Sequence, residues 1–435
     1  MSNIITEAKI LDKTLTVPAQ LIEAQKLPTL IVGGGFTGLL TALNLSHQHY
    51  QTPTILIDQS SKFIFEPLLY EFLSGEMSTR YICPRYDNLL HKSGIKSIQD
   101  TVESIDLHQR QVKLASGLHY NYSNLVLSLG SVAGYCGVAG AKEHTLQFSS
   151  IEDAVILAKH LRDCLQRATQ ATGLEQQTLL TFAIMGAGRT GIELATTLAD
   201  LLPNWYTLLG GDITDLRVVV IQRGKEILKD NNDLLRQAAQ TALHERNIPV
   251  ELMLETEVIE VRSNTVVLKR NNQIEQLSAA TMIWVTGTAI NPLIDTLSIP
   301  EASRDKQGRL KLTNILQLLD FPEVFAGGDC TVMKQPLPAT AQVAYQQGAA
   351  ISNNLMALAE GHPLPPVEIG LRGTLLKLGL DESVADLFDR YQVKGYLGHL
   401  IRQAAYVDLL PTPACNFKGT IEWLSDELFN RVVTR

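Results

Sequence analysis

Apolar residues along the chain come in short unbroken runs, and most of these runs stop at a glycine or an acid. Leu30-Ile31-Val32 leads straight into Gly33, Gly35 and Gly38, followed by Leu39, Leu40, Ala42, Leu43 and Leu45. Unbroken apolarity predicts a strand buried in a parallel sheet, and the spacing after it predicts a helix packed on that strand. Thr54-Ile55-Leu56-Ile57 predicts a second strand, ending at Asp58, 20 residues past Gly38. The same order recurs 153 residues later: Phe182-Ala183-Ile184-Met185, then Gly186, Gly188 and Gly191, then Glu193 and a strand over residues 216–221. Further short apolar runs end at Gly130, at Gly287, and at Gly327, Gly328 and Asp329. Near the C-terminus, Leu397, Leu400, Ile401, Ala404 and Ala405 recur at helical spacing, as do Ile421, Leu424, Leu428 and Phe429 beside Trp423. These predict two amphipathic helices, separated at Pro411 and Pro413.

Each glycine turn has a mechanical reading. The first glycine permits a tight turn, the second lets a pyrophosphate approach the backbone, and the third lets the helix close on the strand. Free N–H groups at the helix N-terminus favour phosphate, and an acid at the end of the second strand accepts from a ribose hydroxyl. Gly33, Gly35, Phe36, Gly38 and Asp58 are therefore candidates for one dinucleotide, and Gly186, Gly188 and Gly191 for another. Two such folds in one chain point to a flavin exchanging hydride with a nicotinamide, hence FAD with NADH or NADPH. No His or Cys beside the flavin segment is placed for a covalent link, so FAD is expected to be held non-covalently.

Composition narrows this reading. At 435 residues, 45% apolar and 19% charged, the chain is a folded protein of two or three domains. A net charge of −8 argues against a nucleic-acid partner. Five cysteines without CxxC spacing argue against a disulfide scaffold and a metal site. No run of about 18 strongly apolar residues predicts a membrane-spanning helix. Residues 1–27 lack the apolar core of a secretory signal and read as an N-terminal extension.

The order of these segments resembles that of the two-dinucleotide-binding flavoproteins: α/β, two Rossmann-like domains. The resemblance implies that Asp329 contacts the flavin ribityl chain. It also implies that the strands ending at Gly130 and Gly287 close the FAD and NAD(P) domains. The FAD domain is then expected at 28–150 and 295–360, the NAD(P)H domain at 151–294, and an amphipathic C-terminal segment at 361–435. Disulfide reductases of this fold keep a cysteine pair near the flavin. Here the segment after Asp58 carries Phe63, Phe65, Pro67, Leu68, Leu69 and Tyr70, with no cysteine before Cys83, so dithiol chemistry is not expected.

Residues 63–71 (FIFEPLLYE) and 341–348 (AQVAYQQG) resemble segments of the type II NAD(P)H:quinone oxidoreductases, and residues 223–228 resemble their cyanobacterial and plant branch, which includes demethylphylloquinone reductase. The resemblance implies FAD-dependent, ping-pong transfer of two electrons from NAD(P)H to a membrane quinone: plastoquinone, menaquinone or a phylloquinone precursor. It implies that Gln346 and Gln347 line the quinone site, that Ala341 starts a helix aimed at the flavin, and that Glu193 lies near the nicotinamide. From composition alone the two glutamines are equally ordinary helix residues, and Glu193 an acid favoured by the helix dipole. A soluble reductase of a protein acceptor, a biosynthetic demethylnaphthoquinone reductase and an idle FAD module remain alternatives.

Residues 394–435 carry five basic and four acidic side chains against a strongly acidic remainder. They are expected either to dock on a membrane surface or to form a homodimer interface. With docking, the protein is expected in the cytoplasm, peripheral to the inner or thylakoid membrane. At the end of the second NAD-domain strand, Gln222 and Arg223 stand where NADH-specific members carry an acid. NADPH is therefore expected to serve at least comparably with NADH.

Overall fold

The computed structural model describes residues 27–387 and 391–411. Two parallel sheets share one plan. The first runs in the order Val324–Ala326, Asn124–Leu127, Thr29–Val32, Thr54–Asp58, Lys96–Gln99. The second runs Glu251–Met253, Arg217–Ile221, Thr181–Met185, Thr281–Trp284. Thr29–Val32 and Thr181–Met185 are buried along their whole lengths, the reason neither alternates apolar and polar residues. The chain leaves the first sheet after Leu127, builds the second, and returns at Val324.

The two crossings between the sheets lie side by side. Ser131–Ala133 pairs antiparallel with Thr288–Ile290, and Gly134 N–H donates to Gly287 O at 3.0 Å. Phe36–His47 crosses Ala341–Ala359 at close range because Gly348 has no side chain: a Cβ there would lie 2.6 Å from Thr37 O. Thr37 Oγ1 and Thr41 Oγ1 donate across the crossing to Ala344 O and Gly348 O at 3.1 and 3.2 Å.

Beyond Ala359 the structure departs from the hydrophobic pattern. Gly373–Lys377, Ser383–Leu387 and Tyr391–Val393 form an antiparallel sheet, against which the helix Gly395–Asp408 packs. That helix forms where expected but is inverted. Gly398, His399, Arg402, Gln403 and Val407 are buried, whereas Leu397 and Ala404 are exposed and Leu400, Ile401 and Ala405 half-buried. The cause lies beneath it. A buried carboxylate, Glu71, needs charged and polar partners, so the polar face turns inward and the apolar spacing marks the outer face. The second amphipathic segment, residues 421–429, and the N-terminal 26 residues lie outside the described residues. Among the described residues no helix is long and apolar enough to cross a membrane.

Candidate functional site

The two glycine turns are built alike. Gly33 has φ +99°, and a Cβ on it would lie 2.3 Å from Ser128 O; Gly186 has φ +119°, with Thr286 Cβ at 2.7 Å. Gly38 and Gly191 each pack on their own turn, where a Cβ would come within 1.9 Å of Gly33 O and Gly186 O. Gly35 and Gly188 face nothing within 4 Å. The middle glycine thus opens onto free space while the outer two are locked, the cradle a pyrophosphate requires at a helix N-terminus.

The second strands meet these turns in the same way but with different chemistry. Asp58 Oδ2 accepts from Gly34 N–H at 2.6 Å and Oδ1 from Ser60 N–H at 2.7 Å. Burial nonetheless raises the Asp58 carboxyl above its ordinary value, these two bonds offsetting part of the shift. In the other turn, Gln222 Oε1 accepts from Ala187 N–H at 3.3 Å. A neutral amide therefore occupies the position of the acid, with Arg223 exposed beside it.

Asp329 follows Gly328, which has φ +80°, and its Oδ2 accepts from Ser131 Oγ at 3.2 Å. Burial raises its carboxyl too. Gly130, at φ +61° with open space around it, adjoins this contact; Gly287, at φ +75°, packs instead on Gly134 in the paired crossings. Spacing gives no signal for Glu66, which becomes a site residue only when the fold brings it near Asp329. It keeps an exposed edge, yet close packing around its carboxyl and then the Asp329 charge push it up to about 7. Cys330, next to Asp329, is a free thiol pushed up to about 11 by burial, and the other described cysteines, Cys83, Cys136 and Cys164, are also free. Such a buried thiol is inert.

Ala341 opens a 19-residue helix capped by Thr340, whose side chain accepts from Val343 N–H. Gln347 is buried, and its Oε1 accepts from Gly328 N–H at 2.7 Å, bracing the Asp329 turn. Gln346 clasps Gly370 from both sides, Nε2 donating to its carbonyl at 2.9 Å and Oε1 accepting from its N–H at 3.0 Å. Gln346 is thus held to backbone through both ends of its amide, and Gln347 through its carbonyl oxygen.

Phe36, Phe63 and Phe65 meet edge to face at 5.1–6.5 Å, and Tyr406 closes on Phe65 at 6.0 Å. The next residues of the same segment carry charge. Tyr70 hydrogen-bonds Glu193, whose Oε1 also accepts from Lys377 N–H at 2.8 Å. Glu71 Oε1 accepts from Lys377 Nζ at 3.1 Å, Gln403 Nε2 at 3.1 Å and Arg402 Nη1. Burial would raise Glu71, but Arg402 and Lys377 overcome it and hold the carboxyl well below the ordinary range. Burial raises Glu193, with Arg402, Lys377 and Tyr70 opposing. This cluster of two carboxylates and two cations was illegible in the sequence, since Glu71 lies more than 300 residues from Lys377 and Arg402, and Glu193 lies 184 residues from Lys377.

The comparisons agree with this construction. Residues 28–348 match the model of the pyridine nucleotide-disulphide oxidoreductases. The chain is 32% identical to demethylphylloquinone reductase NdbB of Synechocystis, over 92% of this chain and 96% of that protein. It is 29% identical to the alternative NAD(P)H-ubiquinone oxidoreductase C1 of Arabidopsis thaliana, over 91% of this chain and 80% of that one. In fold it matches NDH2 from Plasmodium falciparum, solved with NADH, at a TM-score of 0.83 and 19% identity, covering 93% of this chain and 99% of that one. The duplicated glycine cradles, the returning Asp329 strand and these relatives together make the chain an FAD- and NAD(P)H-dependent member of the pyridine nucleotide-disulphide oxidoreductase family, in its type II NAD(P)H:quinone oxidoreductase branch.

Proposed function

We propose that the protein passes two electrons from NAD(P)H, through non-covalent FAD, to a membrane quinone. The observation that supports it best is the pair of cradles with open middle glycines, combined with thiols that are free and far apart in sequence among the described residues. Bound flavin supplies the redox chemistry; the chain's own residues bind, orient and exclude water. We assign Gly33, Gly35, Phe36, Gly38, Asp58, Gly130, Asp329 and Ala341 to FAD. Gly186, Gly188, Gly191, Gln222, Arg223 and Gly287 go to the nicotinamide nucleotide, with Glu193 at the junction. Gln347 positions the Asp329 turn and Gln346 the chain at Gly370. Gln347 holds its turn through Oε1, which leaves Nε2 as the donor for a quinone carbonyl, whereas Gln346 uses both ends of its amide on Gly370. A second reading, reduction of a demethylated naphthoquinone, is favoured by the Synechocystis relative.

One experiment tests the reading and the flavin assignment together. Purified yellow protein is expected to oxidise NAD(P)H with a short-chain quinone and far more slowly with ferredoxin. Asp329→Ala is expected to weaken FAD binding by about 1.5–3 kcal/mol, the scale of a hydrogen bond to a charged group. A variant that keeps its full flavin absorbance through dialysis would show that Asp329 lies away from the flavin.

Membrane association, as opposed to dimerisation, rests on the outward apolar face of Gly395–Asp408, where Leu397 is 59% exposed beside Leu400 and Ile401. The double substitution Leu397→Glu, Ile401→Glu is expected to reduce flotation with lipid vesicles at least about tenfold, since each such side chain contributes about 1.5–3 kcal/mol when buried. Unchanged flotation together with loss of a dimer in sedimentation would make the face a homodimer interface.

A further inference from the structure

The two glycine cradles differ in the residue that opens their helices. Phe36 stands first in the helix Phe36–His47 and packs edge to face on Phe63 and Phe65. Arg189 holds the same place 153 residues on, opening the helix Arg189–Leu208 directly after Gly188, the glycine that faces open space. The first turn of that helix carries no acid, so the cation stands at the positive end of the helix dipole, an unfavourable place for it. Arg189 is also half-buried, and a charge drawn out of water needs a partner. The other half-buried arginines have one. Arg236, Arg246 and Arg309 pair with carboxylates, and Arg304 donates to four backbone carbonyls. Among the described residues Arg189 makes one hydrogen bond, from Nη2 to the neutral Thr374 Oγ1 at 3.2 Å. Glu193, one turn along the same helix, is taken up by Tyr70 and by Lys377 N–H at 2.8 Å. Thr374 is firmly placed. Its strand, Gly373–Lys377, meets the start of the helix at Thr374 and again at Lys377. Gly373, at φ +125°, fixes the strand against its neighbour: a Cβ there would lie 2.1 Å from Asp386 O.

We propose that Arg189 binds the pyrophosphate of NAD(P)H, aimed into the second cradle by Thr374. A guanidinium carries five donors in a planar fork; Thr374 takes one, and the others suit phosphate oxygens. With pyrophosphate in the cradle, the helix terminus and Arg189 both meet negative charge, and the half-buried cation gains the anionic partner it otherwise lacks among the described residues. The flavin cradle, with Phe36 at this position, has no corresponding cation. The role also differs from that of Arg223. Pyrophosphate is common to NADH and NADPH, whereas the 2′-phosphate belongs to NADPH alone, so Arg189 serves both nucleotides. Thr374 is a positioning residue in this scheme, acting on the nucleotide through Arg189.

The proposal rests on the second cradle holding a nicotinamide nucleotide, and not on the identity of the electron acceptor. The probe is ADP-ribose, which carries the pyrophosphate but neither nicotinamide nor 2′-phosphate, titrated by calorimetry into the FAD-loaded protein without a quinone. Arg189→Met and Arg189→Gln are each expected to weaken its binding about 10- to 100-fold, the scale of one hydrogen bond to a charged group. NAD+ and NADP+ are expected to lose affinity by the same factor. Both variants are also expected to flatten the loss of affinity with added salt, which screens a pair of charges. Gln can still donate to Thr374, so it separates the charge from that bond. Thr374→Val is expected to weaken ADP-ribose about 2- to 10-fold with the salt dependence kept, the scale of one neutral hydrogen bond. Flavin absorbance equal to the unmodified protein's certifies each fold, and should Arg189→Met lose FAD, Arg189→Gln decides. Unchanged ADP-ribose affinity in Arg189→Gln, or a loss confined to NADP+, overturns the proposal, and an unchanged Thr374→Val overturns the part given to Thr374. ADP-ribose that fails to bind the unmodified protein would instead reject the nucleotide assignment of the cradle itself.

Discussion

Replacing Arg402 by Met is expected to destabilise the protein by about 3–5 kcal/mol, the cost of removing one partner from a buried ion pair. Arg402 and Glu71 are both fully buried, and Arg402 also lies over the Tyr406 ring at 4.8 Å and donates to Pro67 O at 2.8 Å. Lys377 remains to Glu71 in the variant, which places the loss toward the lower end of that range. The effect has a sign with pH. Glu71, held low, contributes stability present above the ordinary carboxylate range and lost only as pH falls through its own depressed value. Glu76 and Glu193 are raised, so their contributions are complete below the ordinary carboxylate range and are lost as pH rises, for Glu76 through about 7. Removing the Arg402 cation makes ionisation of Glu71 and of Glu193 harder. The destabilisation is therefore expected to grow from mildly acidic to mildly alkaline solution, measured by denaturant unfolding. Truncation after Val393 removes Arg402, Gln403 and His399 together and is expected to yield little folded, FAD-containing protein. Truncation after Leu410, which spares the whole helix, is expected to keep the flavin. Equal stability of the two truncations would show that the helix is an appendage.

The contrast between this cluster and the glycine turns explains what the sequence discloses. A turn of the Gly33–Gly38 kind is largely local: the approach of Gly38 onto Gly33 O and the positive φ of Gly33 arise within six residues and impose glycine at fixed intervals, although Gly33 also packs on Ser128 O. Strand burial is nearly as local, since Thr29–Val32 and Thr181–Met185 are each enclosed along their full length and write that into composition. Gly348 is a step further removed. Its spacing within the AQVAYQQG segment was legible, but the reason for it, the backbone of Thr37 on another helix, was not. Glu71, Lys377 and Arg402 lie beyond that reach. Each reads alone as a surface charge, because burial is decided by partners more than 300 positions away. The helix Gly395–Asp408 shows how this misleads: its apolar stripe was correctly located, but which face turns inward was set by Glu71. The backbone partners of Gln346 and Gln347 were likewise not legible, since Gly370 and Gly328 reach them only through the fold.

NADPH is expected to be oxidised at least as efficiently as NADH, and Gln222→Glu is expected to move the preference toward NADH by about 1–3 kcal/mol, the scale of one hydrogen bond to a charged group. The argument turns on the likeness of the two cradles. In the first, Asp58 holds the turn through Gly34 N–H, leaving a carboxylate at the strand end. In the second, Gln222 makes the corresponding bond to Ala187 N–H with no charge at all. An acid there accepts from both ribose hydroxyls and repels a 2′-phosphate; an amide still accepts from a hydroxyl but exerts no repulsion. Attraction comes from Arg223 and Lys225, both exposed on the loop that follows. The acid on that loop, Glu226, pairs with Arg236 at 3.3 Å and so offers less opposition. A guanidinium binds phosphate through two parallel donors, so Arg223→Ala is expected to weaken NADPH use while leaving NADH nearly unaffected. The measurement is kcat/KM for both nucleotides with a single quinone acceptor. Strong NADH selectivity in the unmodified protein would sink the proposal, and an Arg223→Ala variant that loses both nucleotides equally would place that side chain on the shared pyrophosphate and not on the 2′-phosphate.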